Sequence, residues 1–435
     1  MIQEDTERWA QELAAVMERI GARFGRVEPR RRALAYVRGL LAPLERKNGW
    51  QLAEAAGDRT PDGVQDFLAR AHWEADLVRD DLRAYVVAHL GDGQAVLVLD
   101  ETGFIKKGDK SCGVQRQYSG TAGRIENCQV GVFLTYASRH GHTLLDRALY
   151  LPQSWATARP RRAAAGIPAT VGFATKPKLG AAMLKRAFAA GVPCAWVTGD
   201  SVYGADYTLR RVIEQHGRGY VMAVTSAQRL ALKPVVDWLE DVPARAWRQL
   251  SAGDGAKGPR LYDWAYLPYR SDTAPGWHKG LLIRRKIKKP TEFTFYLTLS
   301  PTGTTLADLV RVAGTRWTVE ICFEAAKGEV GLDQYEVRSW TGWHRHITLA
   351  MLAHAYLAVL RKAATGEKIR NASRHRARAA AGAVAPHRAR TAPAALASGV
   401  GASARPRTRP CLVAMAPASP TTRSPLSLVS ANASL

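Results

Sequence analysis

The chain is poor in cysteine and has no Cys-x-x-Cys pair. Its five cysteines (Cys112, Cys128, Cys194, Cys322 and Cys411) are scattered through 435 residues, which excludes a disulfide framework or a structural zinc site and suits a reduced cytosol. It lacks any unbroken apolar run of the roughly 18–20 residues that a membrane span needs. Its first residues, Met1 to Asp5, are acidic and do not read as a secretory leader. Acid is scarce overall: 38 Asp and Glu stand against 62 Lys and Arg, a formal net charge of +24. Such an excess repels itself unless a polyanion is near, so the expected partner is nucleic acid, with no membrane. No acid follows Glu367 and no aromatic follows Tyr356. The stretch 363–435 is mostly Ala, Arg, Pro and Ser, cannot bury a core, and is expected to be disordered. It reads either as a basic nucleic-acid arm or as the product of a shifted reading frame.

The whole chain is 46% hydrophobic, enough for a sizeable core and about three domains. Residues 4 to about 90 show helical spacing throughout. Gln51–Gly57 reads as a short helix, and Thr60-Pro61 as an N-cap followed by proline at the first helical position. The two short helices form either a helix-turn-helix or part of an ordinary bundle. The apolar run 95–99 reads as a buried strand that delivers Asp100-Glu101 at its C-terminal end. Residues 129–136 and 142–150 read as two further strands joined by a tight turn at 138–141. Between them and the first strand lies the basic loop Lys106 to Lys110. A helix over 178–190 and a strand over 195–198 follow, the latter ending at Gly199-Asp200. Residues 244 to about 300, rich in Trp, Tyr and Phe, read as a β-rich insertion with its own small core.

The stretch 315–328 reads as an amphipathic helix. Arg316, Glu320 and Lys327, at i, i+4 and i+11, share one side of it. Asp100, Asp200 and Glu320 are therefore candidates for a carboxylate triad holding two Mg²⁺ ions. Glu101 competes with Asp100, and Glu324 with Glu320. Arg316 and Lys327 are candidates for gripping phosphates. Trp277, beside His278-Lys279, is a candidate for stacking on an unpaired base. Gly253 to Gly258 spells G-x-G-x-x-G without a surrounding βαβ unit, so it is not read as a dinucleotide site. The pairs His140/His142 and His344/His346 lack matching ligands and read as surface or packing residues.

Three motifs together resemble the DDE transposases of bacterial insertion sequences: Val98-Leu99-Asp100-Glu101-Thr102-Gly103-Phe104, Gly199-Asp200-Ser201-Val202-Tyr203-Gly204, and Arg316-x3-Glu320-x6-Lys327. They are similar to the branch with a Tyr-x2-Arg-x3-Glu-x6-Lys signature. Asn48 to Glu54, Arg116 to Gly123 and Gly331 to Arg338 look like insertion sequence 701-type members. The signature tyrosine would fall at Ala313. The resemblance implies an α/β fold: a ribonuclease-H-like core, a mixed sheet with flanking helices, carrying a β-rich insertion and an N-terminal helical domain. It implies Mg²⁺-dependent DNA cleavage and strand transfer, with Mn²⁺ as a substitute ion and Asp100, Asp200 and Glu320 as catalytic metal ligands. A homodimer on DNA in a bacterial cytoplasm, associated with the nucleoid, is the matching expectation. The expected divisions are a helical DNA-binding domain (1–92), a first core part (93–243), the insertion (244–302), C-terminal core helices (303–362) and the tail (363–435). The rival functions are a stand-alone nuclease of this fold and a repressor-like DNA-binding remnant.

Overall fold

The computed structural model describes residues 2–255, 257–269 and 273–382. Five helices come first: α1 (Ile2–Gly21), α2 (Val27–Leu41), α3 (Gly49–Ala55), α4 (Asp62–Ala69) and α5 (Ala75–Leu90). Asn48 caps α3 by accepting from the Gln51 N–H, and Gly57, at φ +82°, ends the turn after it. α4 starts one residue later than the sequence implied: Pro61 is its N-cap, and the Thr60 hydroxyl donates to the Asp62 side chain. Val64, Phe67 and Leu68 of α4 are buried, while its outer side offers Asp62 and Gln65. The five helices pack on one another as a bundle. Arg345 ties this bundle to the rest. Its guanidinium donates to the carbonyls of Ala71 at 2.5 Å and Trp73 at 2.6 Å.

The centre is a ten-stranded mixed sheet. Its first strands are β1 (Val96–Ile105), β2 (Gln115–Ser119), β3 (Arg124–Ser138) and β4 (Gly141–Tyr150). Helices α6 (Gln153–Thr157), α7 (Arg159–Ala164) and α8 (Lys176–Ala189) lead to β5 (Trp196–Gly199). Then come α9 (Ser201–Gly204), α10 (Tyr207–Gln215) and β6 (Gly219–Val224). β1 pairs antiparallel with β3 and parallel with β5, β5 pairs parallel with β6, and β4 flanks β3. This is the expected ribonuclease-H-like arrangement, with helices covering the sheet. Two differences from the sequence-based expectation matter. β1 does not end at Leu99; only its parallel pairing with β5 ends there, and the antiparallel ladder to β3 runs on to Ile105. β2 is an additional strand, paired with β3.

Beyond β6 a small hairpin, β7 (Arg229–Leu230) and β8 (Lys233–Pro234), precedes β9 (Arg248–Gly255), β10 (Gly258–Tyr269), β11 (Trp277–Lys286) and β12 (Lys289–Pro301). Among the described residues the insertion does not have the expected separate core. β12 pairs antiparallel with β6, so β12, β11, β10 and β9 extend the central sheet outward. β6 would otherwise present an unpaired edge, and β12 satisfies it. Trp264, Phe295 and Tyr296 accordingly belong to one core cluster that also holds Val98 and Val221. The G-x-G-x-x-G stretch is the turn between β9 and β10.

The chain closes with α11 (Leu306–Thr315), α12 (Trp317–Val330) and α13 (Trp340–Gly382). Thr305 and Asp308 form a capping box at the start of α11, and Gly331, at φ +63°, ends α12. The expected tail thus begins inside α13; residues 383–435 lie outside the described part. Residues Trp340–Gly366 are long and apolar enough to cross a membrane by length and composition, though without an unbroken apolar run, and 67% of the qualifying window is buried in the protein. It is a core helix. Among the described residues Cys112, Cys128, Cys194 and Cys322 are free and buried.

The closest steric approach near the sheet is at Gly204. A Cβ there would meet the Ala223 carbonyl oxygen at 1.8 Å. Gly204→Ala is expected to cost about 1–3 kcal/mol as α9 is pushed off β6. The check is a lowered urea midpoint at unchanged m-value; an unaltered midpoint would show that α9 moves freely.

Candidate active site

Asp100 and Asp200 meet because of strand register. Leu99 pairs with Gly199 in the parallel β1–β5 ladder, so the two acids follow the last paired residues side by side. Asp200 is also the N-cap of α9, accepting from the Val202 N–H at 2.9 Å. Burial pushes the Asp100 carboxyl up to about 7, and the neighbouring Asp200 adds to the rise while Arg316 opposes it. Asp200 is also raised, by burial first and then by Glu101. Two acids that hinder each other's ionisation call for a nearby cation.

Arg316 stands at the junction of α11 and α12 and supplies that charge. Its guanidinium lies 3.3 Å from Asp100 Oδ2 and 3.1 Å from Glu320 Oε1. The i, i+4 spacing on α12 thus brings Glu320 to the acids through Arg316. The expected two-ion cage is not preformed. Among the described residues no three His, Cys, Asp or Glu side chains are grouped closely enough to hold a metal. Arg316 is the physical reason, since it engages the two outer acids itself. The donor chemistry still fits: three carboxylates offer hard oxygen ligands suited to Mg²⁺ or Mn²⁺.

Lys327 projects from α12 toward β1. Its Nζ donates to Thr102 Oγ1 at 2.8 Å and Thr121 Oγ1 at 3.0 Å. Burial lowers its pKa. Thr121 lies in the β2–β3 turn, so the lysine pins that turn over β1. Ala313, where the signature tyrosine would stand, is buried in α11.

Trp277 is not brought to the acids. The register Gly199–Met222–Leu297–Leu281 crosses the sheet beside Asp200, and Trp277 starts β11, further along toward the other end, half-buried against the core. The exposed tryptophan at the site is Trp317, beside buried Trp264. It is 46% exposed, and with Arg260, Arg284 and Tyr296 it lines a pocket of about 320 Å³ that also touches Asp200 and Arg316. The Arg260 guanidinium sits 5.5 Å above the Trp317 ring. Its position next to Arg316 in sequence was the available signal.

Glu101, left open as a rival to Asp100, has partners of its own. It accepts from Lys176 Nζ at 2.6 Å and from the Tyr203 hydroxyl at 2.6 Å. Tyr203 is fully buried and its N–H also faces Asp200 Oδ1 at 3.4 Å, so one residue touches both acidic motifs. Sequence reasoning missed Lys176 and Tyr203, although the latter stands within the Gly199 to Gly204 motif. Glu324 is not drawn into the ion pairs made by Arg316. The histidine pairs form no metal group among the described residues.

Sheet order defines an α/β protein with a ribonuclease-H-like sheet, with Asp100 and Asp200 placed where the parallel ladder of β1 and β5 ends. The chain belongs to the DDE endonuclease superfamily: the family model described as DDE superfamily endonuclease matches residues 20–242, just over half of it. The model described as transposase DDE domain matches residues 175–357. The chain is also 28% identical over 198 residues to the probable transposase for insertion sequence element IS701 of Microchaete diplosiphon, covering 45% of this chain and 49% of that protein. The chain thus aligns with about half the length of this curated relative.

Proposed function

We propose that this chain is a transposase that cuts DNA at the ends of an insertion sequence and joins the freed 3′-hydroxyls to target DNA. The observation that carries the reading is the register that sets Asp100 beside Asp200, with Arg316 joining Asp100 to Glu320. Asp100, Asp200 and Glu320 would hold divalent ions, Mg²⁺ or Mn²⁺. Such ions would activate the attacking water or hydroxyl and shield the scissile phosphate's charge. The chain's own groups do the rest. Arg316 keeps Asp100 and Glu320 facing one another and is placed to take a phosphate oxygen when they turn to other ligands. Lys327 holds the β2–β3 turn and offers a second cation beside Thr102. Lys176 and Tyr203 fix the Glu101 carboxylate, each with one hydrogen bond.

The helical region 1–92 would contribute to DNA binding. The protein would work as a homodimer, one subunit per element end, in the cytoplasm at the nucleoid. The test is incubation of the purified protein with Mg²⁺ and element-end duplex. Nicking followed by joined products supports transposition. Nicking without joining leaves a nuclease, and binding alone leaves a DNA-binding remnant.

A further inference from the structure

The basic loop 106–110 follows directly where β1 ends. Along this strand Asp100 is met by Arg316 and Thr102 by Lys327. Next comes Lys106, whose Nζ donates to the Tyr335 carbonyl at 3.0 Å and lies 3.5 Å from the centre of its ring. A groove of about 410 Å³ opens at this end, lined by Arg46, Lys106, Lys107, Lys110 and Arg338. Its acidic lining is only Asp333 and Glu336. The cations come from three separate parts of the chain, so sequence proximity does not explain their convergence.

The loop is held firmly. The Asn127 side-chain amide donates to the carbonyls of Lys106 at 2.7 Å and Gly108 at 3.0 Å. The Lys106 N–H donates to the Asn127 carbonyl at 2.9 Å, and Arg161 donates to the Asp109 carbonyl at 2.9 Å. Lys107 and Lys110 are exposed on this fixed backbone. The ion pair of Lys110 with Asp109 spans 3.9 Å between exposed groups, which contributes little. Cations held together without matching acids favour a polyanion, and a fixed backbone spares the ordering cost of binding one.

We propose that this groove takes the sugar–phosphate backbone of duplex DNA continuing past the acids, so that β1 lies along the DNA. From Asp100 to Ile105, where β1 ends and the loop begins, the strand spans about 17 Å at ~3.3 Å per residue. At ~3.4 Å per base pair that is about five base pairs beyond the cut. The groove offers Lys and Arg to phosphate, so the grip is indifferent to sequence. This inference rests on the DNA-cutting reading.

The test uses the full chain and a short duplex of mixed sequence, with affinity followed by fluorescence anisotropy over a salt series. Lys107→Glu with Lys110→Glu is expected to weaken binding about 10–100-fold at low salt. It should also reduce the slope of log K against log salt by about 2, one for each phosphate that is no longer neutralised. Lys107→Arg with Lys110→Arg should keep the wild-type slope. Arg139→Glu with Lys185→Glu makes the same charge change elsewhere and should leave the slope in place. An unchanged slope in the first variant, or an equal fall in the control, overturns the groove. If the wild type still nicks DNA with Mg²⁺ in that case, only the groove is lost. A wild type that neither binds nor nicks overturns both the groove and the enzyme.

Discussion

Asp200→Asn is expected to lower Mg²⁺-dependent nicking by at least about 10³-fold while leaving DNA affinity within about twofold. Three decades in rate correspond to about 4 kcal/mol of transition-state stabilisation, the scale on which a bound cation shields a phosphoryl centre. The substitution removes one anionic oxygen and little else. Asn is as good an N-cap as Asp, so α9, which starts on Asp200, should persist. Burial and the like charges of Asp100 and Glu101 already strain this carboxylate, so its neutral replacement is not expected to unfold the protein. Single-turnover nicking on saturating duplex separates the chemical step from binding. Nicking kept within about tenfold of wild type would remove Asp200 from the catalytic set. Parallel loss of affinity would mean that the variant had misfolded or that Asp200 shapes the DNA surface.

The second large effect is on stability in acid. His346 is fully buried between the Tyr36 hydroxyl, 2.7 Å from its Nδ1, and the Gly331 carbonyl, 3.2 Å from its Nε2. His354 is buried with its Nδ1 2.9 Å from Thr143 Oγ1. Burial lowers both to about 3. The unfolded chain takes up protons near pH 6.5, whereas the folded one does so only near 3. The stability these neutral rings support is therefore present above about pH 6.5 and falls as pH drops through that window. At about 1.4 kcal/mol per unit for each ring, the pair removes on the order of 4 kcal/mol at pH 5. That is a large share of an ordinary domain's total of about 5–15 kcal/mol. Urea midpoints at pH 7.5 and pH 5 provide the measurement. On acidification the wild type should lose about 2 kcal/mol more than His354→Leu, whatever that variant costs at pH 7.5. Equal losses in both would refute the assignment to His354.

Several features could be read from sequence because their physical signals are local. The apolar run before Asp100 and the shorter one before Asp200 mark buried strands, and both strands are present. The four-residue step from Arg316 to Glu320 reports one helix face, and those side chains meet. What stayed hidden depends on partners distant in sequence. β1 runs past Asp100 only because β3 pairs with it there, and no pattern in Glu101 to Ile105 announces that ladder. β2 is a polar edge strand, Gln115 to Ser119, without an apolar run of its own. The aromatics of 244–302 look self-sufficient because the pairing of β12 with β6 is invisible in composition. Trp277 stands out for its basic neighbours, while Trp317, inside the helix that carries Glu320, blends into an amphipathic face.

The merging of β12 with β6 has a mechanical outcome. Hydrogen-bonded strands slide past one another only by breaking rungs, so the ladders of β9 to β12 form a stiff plank fastened to the strand beside Asp200. A load applied to its outer edge at β9 would pass rung by rung through β12 and β6 to β5, the strand that leads into Asp200. A chain with a loosely tethered insertion would lack that leverage.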